Sequence, residues 1–106
     1  MPFIKTYIHF VFSTKNRKPL LHSKELRTKV WKHIFENGRK KEIFIDQVNG
    51  FNDHCHYLVS LGNEQMISKI AQLIKGESSF WINKNELYKE KFEWQDDSFA
   101  VSVLNP

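Results

Sequence analysis

The most informative stretch of this sequence is DHCHYLVSL, residues 53–61. Its alternation of residue types is typical of a strand, in which successive side chains point to opposite faces. His54 and His56 would then share one face, about 6.6–7 Å apart along the backbone, and Cys55 and Tyr57 would point to the other. Two imidazoles at that separation can bind one divalent cation, but five histidines in 106 residues give about 0.2 such pairs by chance. The spacing therefore predicts a metal site only if its surroundings support one.

The residues before this stretch predict a partner strand. Residues 42–50 alternate, and the short Asn52-Asp53 turn that follows favours a hairpin with residues 54–61. The pattern places Ile43, Ile45 and Gln47 on one side of the partner strand, opposite Phe44, Asp46 and Val48.

Two further strands are predicted at the ends of the chain. Aromatic and β-branched residues alternate over 3–14, with Ile8, Phe10 and Phe12 on one side. A charged segment over 83–97 is expected to be irregular, and a last short strand is predicted over 99–103.

Two helices separate these strands. One is predicted from an N-cap at Ser23 to a left-handed C-cap at Gly38, and the second from a cap at Asn63, with a break or bend at Gly76. The order βαββαβ predicts an α+β, ferredoxin-like antiparallel sheet. Both helices would cover one face, which leaves the other face free for a ligand.

Composition limits the kind of protein further. With 41% hydrophobic residues, the chain has apolar material for one core, so residues 1–106 are expected to form a single domain. A lone cysteine, Cys55, excludes an internal disulfide framework. There is neither an apolar run long enough for a membrane span nor a secretory pattern, so we expect a cytoplasmic protein without membrane contact.

Charge is concentrated at one end of the sequence. Residues 1–41 hold eleven Lys and Arg against two acids, whereas residues 42–106 hold five against ten, and the total is +4. The block Lys15-Asn16-Arg17-Lys18, together with Arg39-Lys40-Lys41, would attract a polyanion such as a nucleic acid. The alternative interpretation is that these cations form an ordinary solvated surface.

Four segments resemble a known family when they are taken in order: residues 9–17, 53–61, 67–79 and 92–96. They are similar to the HUH endonucleases, specifically the single-tyrosine transposases of bacterial insertion sequences and their REP-associated relatives. In that family a hydrophobic residue separates two metal-binding histidines, as Cys55 separates His54 and His56 here.

The resemblance implies a metal-assisted transesterase that acts on single-stranded DNA hairpins, as a homodimer joined through the last strands. Mg²⁺ or Mn²⁺, held by His54, His56 and one further polar ligand, would polarise the scissile phosphate, and a tyrosine would form a 5′-phosphotyrosine. In the family, that tyrosine and the third ligand lie on a helix after the last strand. We therefore expect the nucleophile beyond Pro106, because the three tyrosines present are better interpreted as packed aromatics.

The same resemblance gives other residues a predicted role. The predicted DNA contacts are Lys15, Arg17, Lys18, Lys75, Ser78 and Ser79. Asp53 would support a metal-binding histidine by accepting a hydrogen bond from it. Each set has a simpler alternative. It is ordinary surface charge for Lys15, Arg17 and Lys18, a plain helix break at Gly76 for Lys75, Ser78 and Ser79, and a plain turn for Asp53.

Two alternatives from other classes stay open. The first is a catalytically inactive or truncated relative that binds DNA hairpins without cleaving them, which the missing nucleophile favours. The second is a ferredoxin-like fold of the RNA-recognition type. It is less favoured, because the sequence lacks the usual basic-glycine-aromatic run on a central strand and would leave the histidine pair without a role.

Overall fold

The computed structural model describes residues 6–62 and 64–104. The predicted order βαββαβ and the ferredoxin-like α+β class are confirmed. The predictions for residues 3–5 and for the Asn63 cap lie outside the described residues. The elements are β1 (Thr6–Thr14), α1 (Lys24–Lys40), β2 (Phe44–Phe51), β3 (His54–Ser60), α2 (Ile67–Lys84) and β4 (Trp94–Leu104).

The four strands form one antiparallel sheet in the order β2-β3-β1-β4. The strands β3 and β1 are central, and their register sets Phe10 opposite Tyr57 and Val11 opposite His56. β2 and β4 are the edges. The histidine-bearing strand therefore lies between two neighbours that hold its backbone on both sides.

The core lies on one face of this sheet. Every second side chain of β1 and β3 is buried there, in one cluster with buried side chains from both helices. This alternation fixes the register, because a slip of one residue would move every apolar side chain to solvent. The largest fully buried members are Phe10, Phe12, Tyr57 and Phe92, joined from the helices by Val30, Ile34, Ile70, Ile74 and Ile82.

The inward pattern of β2 differs from its prediction after Ile45. Ile45 pairs with Val59 as expected, but Gln47 pairs with the next residue of β3, Leu58, so Asp46 is the extra residue of a β-bulge. One inserted residue reverses the alternation, and Val48 packs against the core while Gln47 is exposed. The predicted sides of Gln47 and Val48 are therefore wrong.

Helix α1 begins as predicted and ends later. The Ser23 hydroxyl oxygen accepts a hydrogen bond from the Leu26 N–H at 3.2 Å, which confirms the N-cap. Gly38 is not a left-handed cap, because the helix continues to Lys40 and the left-handed residue is Glu42, with φ of 59°. A Cβ atom on Gly38 would come within 2.7 Å of Ile45 Cδ1, so glycine here permits the close approach of α1 to β2.

Two predictions about the second half of the chain are wrong. Helix α2 runs without a break through Gly76, and β4 begins at Trp94 rather than at residue 99. The indole of Trp94 is buried and donates a hydrogen bond from Nε1 to Ser78 Oγ at 2.9 Å. This buried contact fixes the start of β4 in a segment whose charge predicted a loop. Neither helix in the described ranges is long and apolar enough to cross a membrane.

Candidate functional site

His54 and His56 lie side by side on β3. Their side chains are partly exposed on the face of the sheet opposite the helices, while Cys55 between them is fully buried. The two rings are nearly parallel, with centroids 6.2 Å apart and an interplanar angle of 19°. The predicted placement of both rings on the open face is confirmed, and their metal-binding role remains a prediction.

A third imidazole belongs to the same surface. His9 of β1 lies 5.4 Å from His56 between ring centroids, at an angle of 79°. The alternation of β1 already separates His9 from the core residues, but only the pairing of Val11 with His56 brings His9 next to β3. Burial, and then the neighbouring His9 and His54, lower the pKa of His56. The neutral imidazole, which is the form that binds metals, is thereby favoured.

Asp53 orients the first histidine of the pair. Its Oδ1 lies 2.9 Å from His54 Nδ1. A carboxylate accepts, so His54 in this contact carries a proton on Nδ1, and the neutral form of the ring then has its free lone pair on Nε2. The hydrogen bond from His54 and the charge of Arg17 lower the pKa of Asp53, against an opposing effect of burial. Asp53 is therefore placed as the sequence predicted for a residue that supports a metal ligand.

The basic turn, residues 15–18, follows β1 and is exposed. Both of its lysines are paired with glutamates. Lys15 Nζ lies 3.5 Å from a carboxylate oxygen of Glu93, and Lys18 Nζ lies 3.5 Å from one of Glu90. Exposed pairs of this kind contribute about 0–1 kcal/mol, so a phosphate can replace the glutamate. Lys15 and Lys18 remain predicted DNA contacts.

Lys75 and Ser78 have structural contacts instead of open surface. Lys75 Nζ donates to the carbonyl oxygens of Gln95 at 2.6 Å and Asp96 at 2.7 Å, which ties α2 to β4. Burial lowers the pKa of Lys75. Ser78 is fully buried and its hydroxyl donates to the Ile74 carbonyl at 2.6 Å. The prediction that Ser78 contacts DNA is wrong for the folded chain, because the core covers it.

Ser79 differs from its neighbour Ser78. It is partly exposed on α2, and its hydroxyl donates to the Gly76 carbonyl at 3.2 Å. That contact leaves the oxygen able to accept a further hydrogen bond. Ser79 therefore stays a predicted DNA contact, together with Lys15 and Lys18.

None of the tyrosines in the described residues meets the histidine pair. Tyr57 lies in the core, stacked on Phe10 with centroids 5.0 Å apart, and Tyr88 stacks on Phe92. Tyr7 shares the open face but lies four residues along β1 from the partner of His56, about 13 Å away at the usual rise of a strand. Within residues 6–62 and 64–104, no three His, Cys, Asp or Glu side chains converge in a way that could hold a metal ion.

A family model described as "Transposase IS200 like" matches residues 3–105. The chain belongs to the IS200-like transposase family. This confirms the resemblance to single-tyrosine transposases that the sequence motifs indicated. No curated protein matches the chain.

Two solved structures share the fold of this IS200-like transposase at low sequence identity. A protein of Deinococcus radiodurans R1 that is assigned as a transposase is 16% identical, with a TM-score of 0.84, and the match covers 97% of this chain and 82% of that one. A REP-associated tyrosine transposase bound to a REP hairpin is 18% identical, with a TM-score of 0.69. That match covers the whole of this chain and 61% of the REP-associated transposase.

Proposed function

We propose that this IS200-like transposase binds single-stranded DNA hairpins and cleaves and rejoins the adjoining strand by metal-assisted transesterification. The observation that carries the proposal is the pair His54 and His56 on the open face, with His54 oriented by Asp53 so that Nε2 is free to bind a metal. The REP-associated tyrosine transposase with the same fold is bound to a DNA hairpin, which supports the choice of substrate. A transposase must reach DNA, and we propose the cytoplasm as its compartment.

The donor set fits a divalent cation such as Mg²⁺ or Mn²⁺, with Mn²⁺ better suited to imidazole ligands. His54 and His56 would hold it, and the lowered pKa of His56 keeps that ring in the binding form. When bound, the cation would polarise the scissile phosphate. Two imidazoles leave most of its coordination sphere to water or to other groups, so we expect weak binding to residues 1–106 alone.

The proposed chemistry balances without an outside energy source. The tyrosine oxygen forms a bond to phosphorus as the bond from phosphorus to the 3′ oxygen breaks, and the proton lost by the tyrosine hydroxyl is matched by the proton gained by the 3′ oxygen. Rejoining reverses both changes. We assign neither this tyrosine nor the third metal ligand to any described residue.

The described residues contribute binding and orientation to this reaction. Lys15 and Lys18 would exchange their exposed glutamate partners for DNA phosphates. Ser79 would donate one hydrogen bond to the DNA or accept one from it. We also propose that two copies pair through the edge strand β4.

A second candidate is a DNA-binding module without strand cleavage. It is favoured by one observation, that no tyrosine in the described residues approaches His54 or His56. Incubation of the protein with Mn²⁺ and a strand that carries a hairpin, followed by a denaturing gel, separates the two candidates. A covalent protein–DNA adduct supports the transposase reaction, and its absence with intact hairpin binding supports the module.

Binding is tested with a labelled hairpin and an unstructured strand of equal length. We expect the hairpin to bind more tightly at near-physiological salt, because equal phosphate counts cannot separate the two substrates whereas a preformed surface can. Lys15→Ala with Lys18→Ala should weaken both substrates and flatten the slope of log affinity against log salt by about 1–2. Equal affinity for hairpin and unstructured strand would contradict the proposed substrate.

Two control variants complete this experiment. Lys40→Ala with Lys41→Ala removes the same charge beyond the other end of the sheet and should change hairpin affinity much less. His54→Ala with His56→Ala should leave hairpin affinity nearly unchanged, because the cation serves the scissile phosphate. Adduct formation that survives the double histidine substitution would contradict the proposed metal site.

A further inference from the structure

Arg17 differs from the other two cations of the basic turn in what it contacts. Its Nε donates to Asp53 Oδ2 at 3.1 Å, and a terminal guanidinium nitrogen donates to Ser13 Oγ at 3.2 Å. The other oxygen of the same carboxylate, Oδ1, accepts from His54 Nδ1 at 2.9 Å. Arg17, Asp53 and His54 thus form a continuous chain of charge-assisted hydrogen bonds that ends at the histidine pair.

The backbone of the turn is strained where Arg17 enters this chain. Asn16 and Arg17 have φ of 58° and 56°, in the left-handed region that residues with a Cβ atom rarely adopt. Asparagine tolerates this region better than most residues, but arginine has no such advantage. Strain of this kind persists only where the surrounding structure holds it, and it is concentrated at functional sites.

Hydrogen bonds donated by backbone N–H groups hold both ends of this Arg17–Asp53–His54 series in place. The Thr14 N–H donates to the Asp53 carbonyl at 2.9 Å, which joins the end of β1 to the turn between β2 and β3. The Lys15 N–H donates to the Glu93 carbonyl at 3.0 Å, and the Asn16 N–H donates to Gln95 Oε1 at 3.1 Å. The segment that leads to Arg17 is therefore held by two segments that are distant in sequence, the turn at Asp53 and residues 93–95.

We propose that Arg17 is a positioning residue: by holding Oδ2 of Asp53, it orients the carboxylate so that Oδ1 fixes the tautomer and the ring orientation of His54. This inference rests on the proposed function, in which His54 Nε2 binds the metal. It replaces the prediction that Arg17 grips the DNA backbone. Without Arg17, the Asp53 carboxylate is free to rotate toward water, and His54 loses its fixed partner.

The first test uses the metal-free, DNA-free protein. Long-range ¹H–¹⁵N NMR at a pH where His54 is neutral reports which ring nitrogen carries the proton. We expect mainly Nδ1–H in the wild type, and a shift toward a mixture of tautomers in Arg17→Gln and, more strongly, in Asp53→Asn. Lys18→Gln is the matched control, because it removes the same charge one residue away and should leave the His54 signals unchanged. Unchanged His54 signals in Arg17→Gln would overturn the proposal.

The second test measures Mn²⁺ binding and hairpin binding on the same variants. Loss of a residue that supports a metal ligand costs about 10–100-fold in metal affinity, and Arg17→Gln should approach the lower end of that range. Lys18→Gln should leave Mn²⁺ affinity unchanged but weaken hairpin binding at least as much as Arg17→Gln does. A larger loss of hairpin affinity in Arg17→Gln, with normal Mn²⁺ affinity, would identify Arg17 as a phosphate contact and overturn the proposal. If the wild type bound no Mn²⁺, the proposed function would fail, whereas the tautomer measurement would still decide the role of Arg17.

Discussion

The alternation along β3 gives neighbouring residues opposite chemical environments. His54 and His56 lie partly in solvent, whereas Cys55 and Tyr57 are buried between the sheet and the helices. Burial raises the pKa of the Cys55 thiol far above its usual value, so this cysteine acts as a small apolar group. Burial also raises the pKa of Tyr57 well above its usual value, which removes it further from any role as a nucleophile.

The Tyr57 hydroxyl supplies a prediction about stability. It is buried and has no hydrogen-bond partner among the described residues, and an unpartnered buried hydroxyl costs about 1–3 kcal/mol. Tyr57→Phe keeps the ring against Phe10 and Phe12, so we expect the free energy of unfolding to rise by about 1 kcal/mol in urea denaturation. Tyr57→Leu is the control and should lower it, because the ring contacts are lost. A less stable Tyr57→Phe protein would mean that the hydroxyl has a partner, such as a bound water.

At the scale of the elements, contacts between them override several local signals. Gly38 and Gly76 both predict interruptions of a helix, yet both lie inside one. Residues 94–98 form part of a strand, although their charge predicts a loop, because Trp94 is buried against Phe12 and Phe92. Local propensity amounts to about 1 kcal/mol per residue, which is less than the burial of one large aromatic side chain.

The two helical glycines make a matched pair of substitutions. A Cβ atom on Gly76 meets no atom within 4 Å, so Gly76→Ala should raise the free energy of unfolding by about 0.5–1 kcal/mol. Gly38→Ala gains the same helix propensity but presses on Ile45, and overpacking costs about 1–3 kcal/mol. We therefore expect Gly76→Ala to be the more stable variant by about 1–2 kcal/mol in thermal or urea denaturation. Equal gains in both variants would show that α1 is not pressed against β2.

For the whole molecule, the sheet leaves one long edge strand with little cover. β4 spans Trp94–Leu104 at the edge of the sheet, and most of its side chains after Trp94 are exposed. Phe99 and Val101 are large apolar residues that remain 61% and 41% exposed. An edge of this kind offers unpaired backbone groups and apolar surface to a second copy of the chain.

We therefore expect a two-fold dimer joined through β4. Light scattering at tens of micromolar should give twice the 12.7 kDa mass of one chain. Phe99→Lys with Val101→Lys should give the monomer mass, because like charges would face each other across the interface. Phe44→Lys with Phe51→Lys, on the exposed face of the other edge strand, is the control and should leave the dimer intact. A monomeric wild type would contradict this mode of assembly.

The sequence by itself determined the order of the elements, the face of His54 and His56, and the family. These properties depend on local periodicity and on short motifs, and both are formed by residues that are close together in the sequence. Only the tertiary structure decided that a bulge at Asp46 reverses the end of β2, that Ser78 is buried beneath Trp94, and that His9 lies beside His56.

The role of Arg17 shows the physical reason for this division. In the sequence, Lys15, Arg17 and Lys18 are three equivalent cations of one block, and charge alone predicts the same phosphate contact for each of them. The fold separates them, because Arg17 meets the carboxylate of Asp53, which lies 36 positions along the chain, while Lys15 and Lys18 meet exposed glutamates. Contacts between distant segments depend on strand register and turn geometry, which local patterns do not encode.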